Sequence, residues 1–342
     1  MKKPFKIISF FFILVFCFFM LFFKDSSKNA VINGLAICGN TVIPSLFPFT
    51  FCSIYILKAL ESLKIKNEPK IINKLFSLNF NEFSSFLLSF IGGYPTGAKL
   101  VAELYKNAQI APKKANLMLC YCVNSGPAFL IMTVGGFFAN EKIGYILFLA
   151  HISASILIAL ILSRFMPKQM DKTASVNKTF SLTEQFIYSV KEAAACVFSI
   201  CQYVILFSVI NSFFIELGKI FSFLNLLPLV LEITLAVTKT KNIYTLAFLC
   251  GFAGVSVWLQ ILSVTKDFKK NLPLFVSFRI IHGLLSSLLI FILLKIFKIH
   301  FATFSNNINI TFKGEYSNTA LFFSLISMAI LFIISTKNKK CW

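Results

Sequence analysis

The pattern of hydrophobic and polar positions divides the chain into long apolar runs separated by short segments rich in lysine. A helix needs about 20 apolar residues to cross a hydrocarbon layer about 30 Å thick, and most of the runs approach or exceed that length. The pattern therefore predicts an all-α polytopic membrane protein whose apolar helices are spans. The runs cover residues 5–23, 31–57, 115–138, 143–163, 193–215, 220–237, 243–264, 272–297 and 320–335.

One apolar piece, residues 83–91, is too short to cross the membrane and is followed by the sequence GGYPTGAK. The glycines allow a turn, and the proline suits the first turn of a new helix. Because that helix presents free amides and its positive dipole end, the break predicts an anion site at the tip of a re-entrant hairpin. The alternative is an ordinary surface turn in which Lys99 pairs with Glu103 one helical turn later. The candidate binding residues here are Gly93, Pro95, Thr96, Gly97 and Lys99.

A second break lies inside the run 115–138, at the sequence NSGP. Pro127 removes one backbone donor and disfavours helical geometry at the residue before it. The carbonyls that it frees need partners, and Asn124 and Ser125 supply polar groups beside them. The motif predicts a broken transporter helix with Asn124 and Ser125 as binding residues, and the alternative is a kinked span packed against its neighbours.

Polar side chains also interrupt the apolar runs of the second half. Glu232 and Thr234 lie in LPLVLEITLAV, and a carboxylate inside such a run favours a functional role over a structural ion pair. Gln260 ends the segment GFAGVSVWLQ, which repeats the small-residue break of the first half, and the alternative is close helix packing. Arg279 and His282 share one helical face, although the arginine is near enough to the start of its run to reach the membrane surface. We take all five as candidate binding residues. An arginine, a histidine and a lysine facing one cavity (Arg279, His282 and Lys99) would favour an anionic, carboxylate-bearing substrate.

The two halves of the chain follow a similar order of features. A shift that places Gly92 over Gly251 aligns an apolar span, a glycine-rich break, a short basic loop and a span with a polar interruption. This order is typical of secondary transporters built from two repeats, often inverted. The predicted units are an N-terminal signal-anchor helix (1–30), a first repeat (31–165), a cytoplasmic linker (166–183) and a second repeat (184–336).

Composition agrees with a membrane protein. Of 342 residues, 57% are hydrophobic and 13% charged, and the mean hydropathy is +0.81. The net charge of +20 comes from 33 lysines and arginines against 13 acidic residues. Lysines in cytoplasmic loops explain this excess better than nucleic-acid binding, because they face anionic lipid headgroups. The basic N-terminus and long first run, with no small-residue cleavage site, predict an uncleaved anchor with its N-terminus inside.

Several classes of function find no motif in the sequence. None of the nine cysteines forms CxxC, and the three histidines are not at ligand spacing, so we expect no metal and no cofactor. There is no nucleotide-binding loop and no credible nucleophile–base pair. We therefore expect neither an ATP-driven pump nor an enzyme.

A family resemblance emerges from five motifs taken in order. They are VIPSLFPF (42–49), GGYPTGAK (92–99), NSGP (124–127), LEIT (231–234) and GxxGVSVxLQ (251–260). In this order and at these distances they resemble the YlbJ-type sporulation integral membrane proteins, part of a wider group with nucleoside-recognition, or Gate, domains. The resemblance spans roughly residues 30–300. It implies an architecture related to concentrative nucleoside transporters, in which two repeats each contribute a re-entrant hairpin and a broken helix.

The resemblance also implies a substrate, because YlbJ-type proteins are implicated in moving dipicolinic acid out of the mother cell across the outer forespore membrane. We therefore expect a secondary transporter of a small organic anion, embedded in the lipid bilayer and compatible with proton or sodium coupling and with homo-oligomers. Two alternatives stay open. One is a nucleoside or nucleobase carrier of the same fold, and the other is a membrane protein needed for spore assembly that transports nothing.

Overall fold

The computed structural model describes residues 3–62, 70–138, 142–167, 181–240 and 242–298, and within these ranges the chain is helical with no strand. The predicted run 320–335 and the C-terminal tail lie outside the described residues, as does most of the predicted linker. The α-helices are α1 Lys3–Phe22, α2 Lys24–Ile37, α3 Ile43–Ser62, α4 Lys70–Phe76, α5 Phe80–Gly92, α6 Tyr94–Lys106, α7 Pro112–Cys122, α8 Lys142–Ser163, α9 Leu182–Gly218, α10 Leu227–Leu231, α11 Ile233–Lys239, α12 Ile243–Phe252, α13 Gly254–Val264 and α14 Leu272–Ile296. Short π-helical segments cover Cys38–Val42 and Ala128–Val134, and 3₁₀ turns cover Gly135–Phe137 and Ser222–Leu226.

Five helical stretches of the described chain are long and apolar enough to cross a membrane. Two of them are not single regular helices. The first joins α2 and α3 through a π-helical turn, and the fourth joins α12 and α13 across a break. The all-helical membrane architecture predicted from the hydropathic pattern is thus confirmed. The five stretches are Lys24–Leu60, Lys142–Ser163, Leu182–Gly218, Ile243–Val264 and Leu272–Ile296.

The GGYP motif forms a helical hairpin. Gly93 separates α5 from α6 and has φ of 81°, a value that glycine adopts without steric cost. A Cβ on Gly97 would lie 2.7 Å from the Cβ of Ser89, although these residues are four positions to either side of Gly93. Such closeness requires the chain to turn back on itself. At 13 residues, each helix is about 20 Å long, short of the full hydrocarbon thickness.

Three further breaks occur along the chain. The second follows α7, where Val123 to Gly126 leave helical geometry before the π-helical segment begins. The third is at Glu232, whose extended backbone separates α10 from α11. The fourth is at Ala253 and Gly254, with φ of 75° and 77°. One order of elements thus occurs twice. The first series is the hairpin α5–α6, the broken helix that begins with α7, and the long helix α8. The second is the short pair α10–α11, the broken helix α12–α13, and the long helix α14.

The bundle packs around α8, α12 and α14, which contact one another, while α9 packs on α2 and α3. The largest group of buried apolar residues fills the space between α5, α7, α8, α12 and α14. Helix α13 turns away from α12 and packs instead on α6 and α9. The breaks consequently lie among packed helices, where non-helical backbone at membrane depth is tolerated.

A buried ion pair fastens α7 to the start of α5. The Lys114 Nζ atom lies 2.6 Å from the Glu82 carboxylate, and both side chains are almost fully buried. The same carboxylate caps its own helix by accepting the amide N–H of Asn79, and the Asn79 side chain accepts the Glu82 amide N–H in return. The pair therefore joins the N-terminal ends of α5 and α7, and the first two breaks follow the C-terminal ends of the same helices.

We predict that Lys114→Met lowers the free energy of unfolding by about 3 kcal/mol, because it removes a cation bonded to a buried carboxylate. The midpoint of thermal unfolding in detergent measures the effect. The double variant Glu82→Gln with Lys114→Met is the control, and it should recover part of the loss because no unpaired charge remains. Equal destabilisation by the single and double variants would contradict the account.

Candidate functional site

A cavity lies where three of the four breaks meet. Its volume is about 60 Å³, smaller than the engineered cavity of about 150 Å³ that takes up benzene. It has room for a few water molecules and must widen to accept an aromatic ring. The lining residues are Thr41, Val42, Ser45 and Leu46 before and within α3; Gly93, Tyr94 and Pro95 at the first break; Ser125, Gly126 and Phe129 at the second; Glu232, Ile233 and Thr234 at the third; and Ile200, Val204, Val257 and Gln260 on α9 and α13.

The first and second breaks touch through their backbones. A Cβ on Gly126 would lie 3.3 Å from the carbonyl oxygen of Ile91 and 3.4 Å from the amide nitrogen of Gly93. Because no side chain intervenes, the hairpin tip rests directly on the unwound segment that follows α7. The glycines of GGYP and NSGP therefore form one wall of the cavity together.

The third and fourth breaks meet in the same way. A Cβ on Gly254 would lie 3.3 Å from the carbonyl oxygen of Val230 and 3.4 Å from the amide nitrogen of Ile233. The positive φ of Gly254 further favours glycine there. The two halves of the chain thus each pair one break with another, and the cavity lies between these pairs.

The N-terminus of α6 begins at the cavity, with Gly93 and Pro95 in its lining. Thr96 and Gly97 lie directly behind. The Thr96 hydroxyl donates to the Gly92 carbonyl at 2.7 Å and lies 2.9 Å from the Thr50 hydroxyl. Gly97 packs against the carbonyl of Cys122. These two residues support the hairpin tip and are absent from the cavity lining.

Lys99 is one turn further along α6 and does not line the cavity. Its Nζ atom lies 2.6 Å from the Glu192 carboxylate and 3.4 Å from the Glu103 carboxylate. Glu103 also contacts Lys58 at 3.4 Å and accepts a hydrogen bond from the Tyr188 hydroxyl. The i,i+4 contact with Glu103 is the one expected under the alternative interpretation of GGYPTGAK. In this conformation Lys99 joins α6 to α9, and Glu103 joins α6 to α3 through Lys58.

Asn124 and Ser125 hold the second break in different ways. The Asn124 amide donates to the Ser89 hydroxyl at 2.9 Å and to the Tyr121 carbonyl at 2.7 Å, which ties the break to α5 and α7. Ser125 lines the cavity, and its backbone N–H donates to Nε2 of His151 at 2.9 Å. Asn124 therefore supports the wall, and Ser125 forms part of it.

Arg279 and His282 lie behind the same wall, fully buried on α14. The Arg279 guanidinium donates to the carbonyls of Val123 and Cys120 at the C-terminal end of α7. A cation at that end of a helix is favourable because it meets the negative end of the helix dipole. His282 Nε2 lies 3.1 Å from the backbone carbonyl of His151. Neither side chain is among the residues that line the cavity.

Glu232 gives the cavity its charge. Its side chain is 95% buried, and it accepts a hydrogen bond from the Thr234 hydroxyl at 3.0 Å. Gln260, from α13, donates to Ser256 at 3.3 Å and contributes to the lining beside Thr234. Among the described residues of the lining, Glu232 is the one with a charged side chain. The cavity thus combines a carboxylate with hydroxyl, amide and helix N-terminal groups.

The structure brings together six of the twelve candidate binding residues and places the other six around them. Reasoning from the sequence missed His151, which directly contacts the cavity wall, and it missed the hydroxyl of Ser45. A signal existed for each, since Ser45 lies within VIPSLFPF and His151 is a rare polar residue in an apolar run. The candidates in the lining are Gly93, Pro95, Ser125, Glu232, Thr234 and Gln260, and those outside it are Thr96, Gly97, Lys99, Asn124, Arg279 and His282.

Comparison with known proteins finds similarity to a sporulation membrane protein. The chain is 22% identical over 320 residues to the sporulation integral membrane protein YlbJ of Bacillus subtilis (strain 168), covering 79% of this chain and 78% of that protein. No family model matches the chain. No solved structure matches it either. The similarity supports the YlbJ-type relationship predicted from the motifs, and with the apolar helices it supports an integral membrane protein.

Proposed function

We propose that the protein is a secondary transporter of a small organic anion, with dipicolinic acid as its substrate during sporulation. The observation that carries this proposal is the cavity itself, whose walls are unwound segments from both halves of the chain. Secondary transporters bind substrates between repeats at such interruptions, where free backbone groups replace water around the substrate. The YlbJ-type relationship adds the link to sporulation.

The order of elements supports two repeats within this transporter. In this order, the hairpin at Gly93 corresponds to the helix pair around Glu232. The NSGP break corresponds to the break at Ala253 and Gly254. This matching differs from the sequence shift, which placed Gly92 over Gly251. In the proposed cycle the two sets of paired breaks move relative to each other, and the narrow cavity widens toward one side of the membrane at a time.

Glu232 has a defined role in this proposal. A carboxylate in the same small cavity as a dianion would repel it strongly, because little water is present to screen the two charges. In this proposal a coupling cation, either a proton or sodium, binds at Glu232 together with the substrate and offsets this repulsion. The amides at the start of α6 and the hydroxyl groups of the lining then receive the substrate carboxylates.

We predict that Glu232→Gln reduces transport at least about tenfold and removes its dependence on the coupling cation. Protein in vesicles containing terbium would report dipicolinate entry by luminescence, with pH and sodium gradients applied separately. Glu216→Gln is the matched control, because that carboxylate pairs with Lys219 and is absent from the cavity lining. Absence of dipicolinate entry with the unaltered protein under every gradient would refute the proposed substrate.

A nucleoside carrier is the second candidate, and one observation favours it. The lining offers a carboxylate, hydroxyls and an amide but no cationic side chain among its described residues, a set suited to neutral polar molecules. Adding nucleosides to the same vesicle assay separates the two substrates. If nucleosides enter and dipicolinate neither enters nor competes, the carrier hypothesis replaces ours. If neither substrate enters and spores of a deletion strain load normally, a role in spore assembly without transport is favoured.

A further inference from the structure

Two histidines face each other at the contact between α8 and α14. His151 and His282 each lie in the middle of a long helix, with at most 1% of either residue exposed. Their ring centroids are 4.4 Å apart, and the ring planes are inclined by 35°. Their helices belong to different halves of the chain and pack against each other. The pair joins the two halves directly behind the cavity wall.

The hydrogen bonds of the pair determine where each ring carries its proton. Nε2 of His151 accepts the backbone N–H of Ser125, so that nitrogen carries no hydrogen and the neutral ring is protonated on Nδ1. Nε2 of His282 faces the carbonyl oxygen of His151, which can only accept, so His282 carries its hydrogen on Nε2. The two rings therefore hold opposite tautomers.

This assignment leaves one buried donor and one buried acceptor on the two adjacent rings. In the described part of the chain, Nδ1 of His151 and Nδ1 of His282 are both buried and have no hydrogen-bond partner. The first bears a hydrogen and the second a lone pair, so they are complementary. Leaving both unsatisfied is costly, and a water that accepts from the first and donates to the second would satisfy both.

We infer that His151 is a positioning residue of the transport site and that His282 keeps it in the required tautomer. With its hydrogen on Nδ1, His151 presents a bare Nε2 to the Ser125 amide and holds that part of the cavity wall in place. The opposite tautomer would place two N–H groups against each other and release Ser125. This inference rests on the proposed function for its meaning, but the geometry that it describes can be measured without any substrate.

The tautomers are tested on the unaltered protein by nitrogen-15 solid-state NMR in lipid bilayers. The chain has three histidines, and His300→Gln removes the third signal. We expect one ring protonated on Nδ1 and one protonated on Nε2, assigned to His151 and His282 respectively. His282→Leu should shift the remaining His151 ring toward the Nε2-protonated form. Two identical tautomers in the unaltered protein, or the reverse assignment, would overturn the inference even if every variant failed to fold.

Hydrogen–deuterium exchange of the full chain in nanodiscs tests whether His151 protects the backbone N–H of Ser125 in the cavity wall. His151→Leu should raise exchange in the peptide around Ser125 about tenfold, the effect of losing one buried hydrogen bond. His151→Gln should largely retain protection, because its amide oxygen can take the position of Nε2. Ser155→Ala is the matched control, since it removes a hydrogen bond from α8 to the Tyr121 carbonyl and leaves Ser125 bonded.

The outcomes separate this inference from the proposed function. Equal exchange in His151→Leu and the unaltered protein, or equal exchange in His151→Leu and His151→Gln, would refute the positioning role. Retained protection in His151→Gln together with retained transport would support it. Absence of transport by the unaltered protein would refute the proposed function alone, because the exchange pattern requires no substrate.

Discussion

Arg279→Met is expected to abolish transport and to lower the free energy of unfolding by about 4 kcal/mol. The guanidinium is fully buried and donates to the carbonyls of Cys120 and Val123, which end α7. Methionine fills a similar volume but donates nothing. Two buried carbonyls would then lose charged partners directly behind the Ser125 wall, and the second break would lose its support.

Thermal unfolding in detergent and transport in vesicles measure the two effects of Arg279→Met. Arg279→Lys is the control, because it keeps the positive charge at the end of α7 but reaches fewer carbonyls. We expect it to recover stability partly, since the planar fork of arginine is lost. A methionine variant as stable and active as the unaltered protein would show that the hydrogen bonds of Arg279 are dispensable.

Gly97→Val is the second large prediction, and we expect it to prevent accumulation of folded protein. Any Cβ at this position would lie 1.8 Å from the carbonyl oxygen of Cys122 and 2.7 Å from the Cβ of Ser89. Neither neighbour is the end of a flexible side chain, so α6 must move away from α7 and α5. We estimate the cost at about 4 kcal/mol, above the usual range for overpacking because the obstacle is backbone.

Yield and the elution profile of the purified protein measure the effect of Gly97→Val. Gly136→Ala is the matched control, because a Cβ there meets nothing within 4 Å. It should leave yield and profile unchanged. A Gly97→Val protein that elutes like the unaltered one would show that the hairpin does not require this close approach.

The sequence predicted the helices and three of the breaks, at GGYP, NSGP and GFAG, because their signals are local. Apolar runs of membrane length define spans, and GGYP and NSGP contain the residues that end and restart helices. Glu232 was recognised because a carboxylate inside an apolar run is rare. The hairpin at Gly93 is present in the structure, whereas the helix interruption at Glu232 was not predicted, since the run 220–237 carries no glycine or proline beside that residue.

The arrangement of the breaks depends on contacts between residues distant in sequence. No local pattern shows that Gly126 touches Gly93 or that the second pair of breaks meets at Gly254. Lys99 illustrates the same limit. Its position after the hairpin tip favoured a binding role, but the carboxylate of Glu192, far along the chain, lies within 2.6 Å of it. The partner of a buried charge is a tertiary property.

The two halves of the chain complete each other's broken helices. The Tyr94 hydroxyl donates to the Cys250 carbonyl, and Arg279 donates to the Val123 carbonyl, and in both cases the residues are 156 positions apart. A ribosome that adds 5 to 20 residues per second needs about 10 to 30 seconds to make that length of chain. During that time α7 resides in the membrane without the guanidinium that ends it. The first half of the chain is therefore incomplete until α14 has been made, and we expect a chain truncated before α14 to be degraded faster than the full chain.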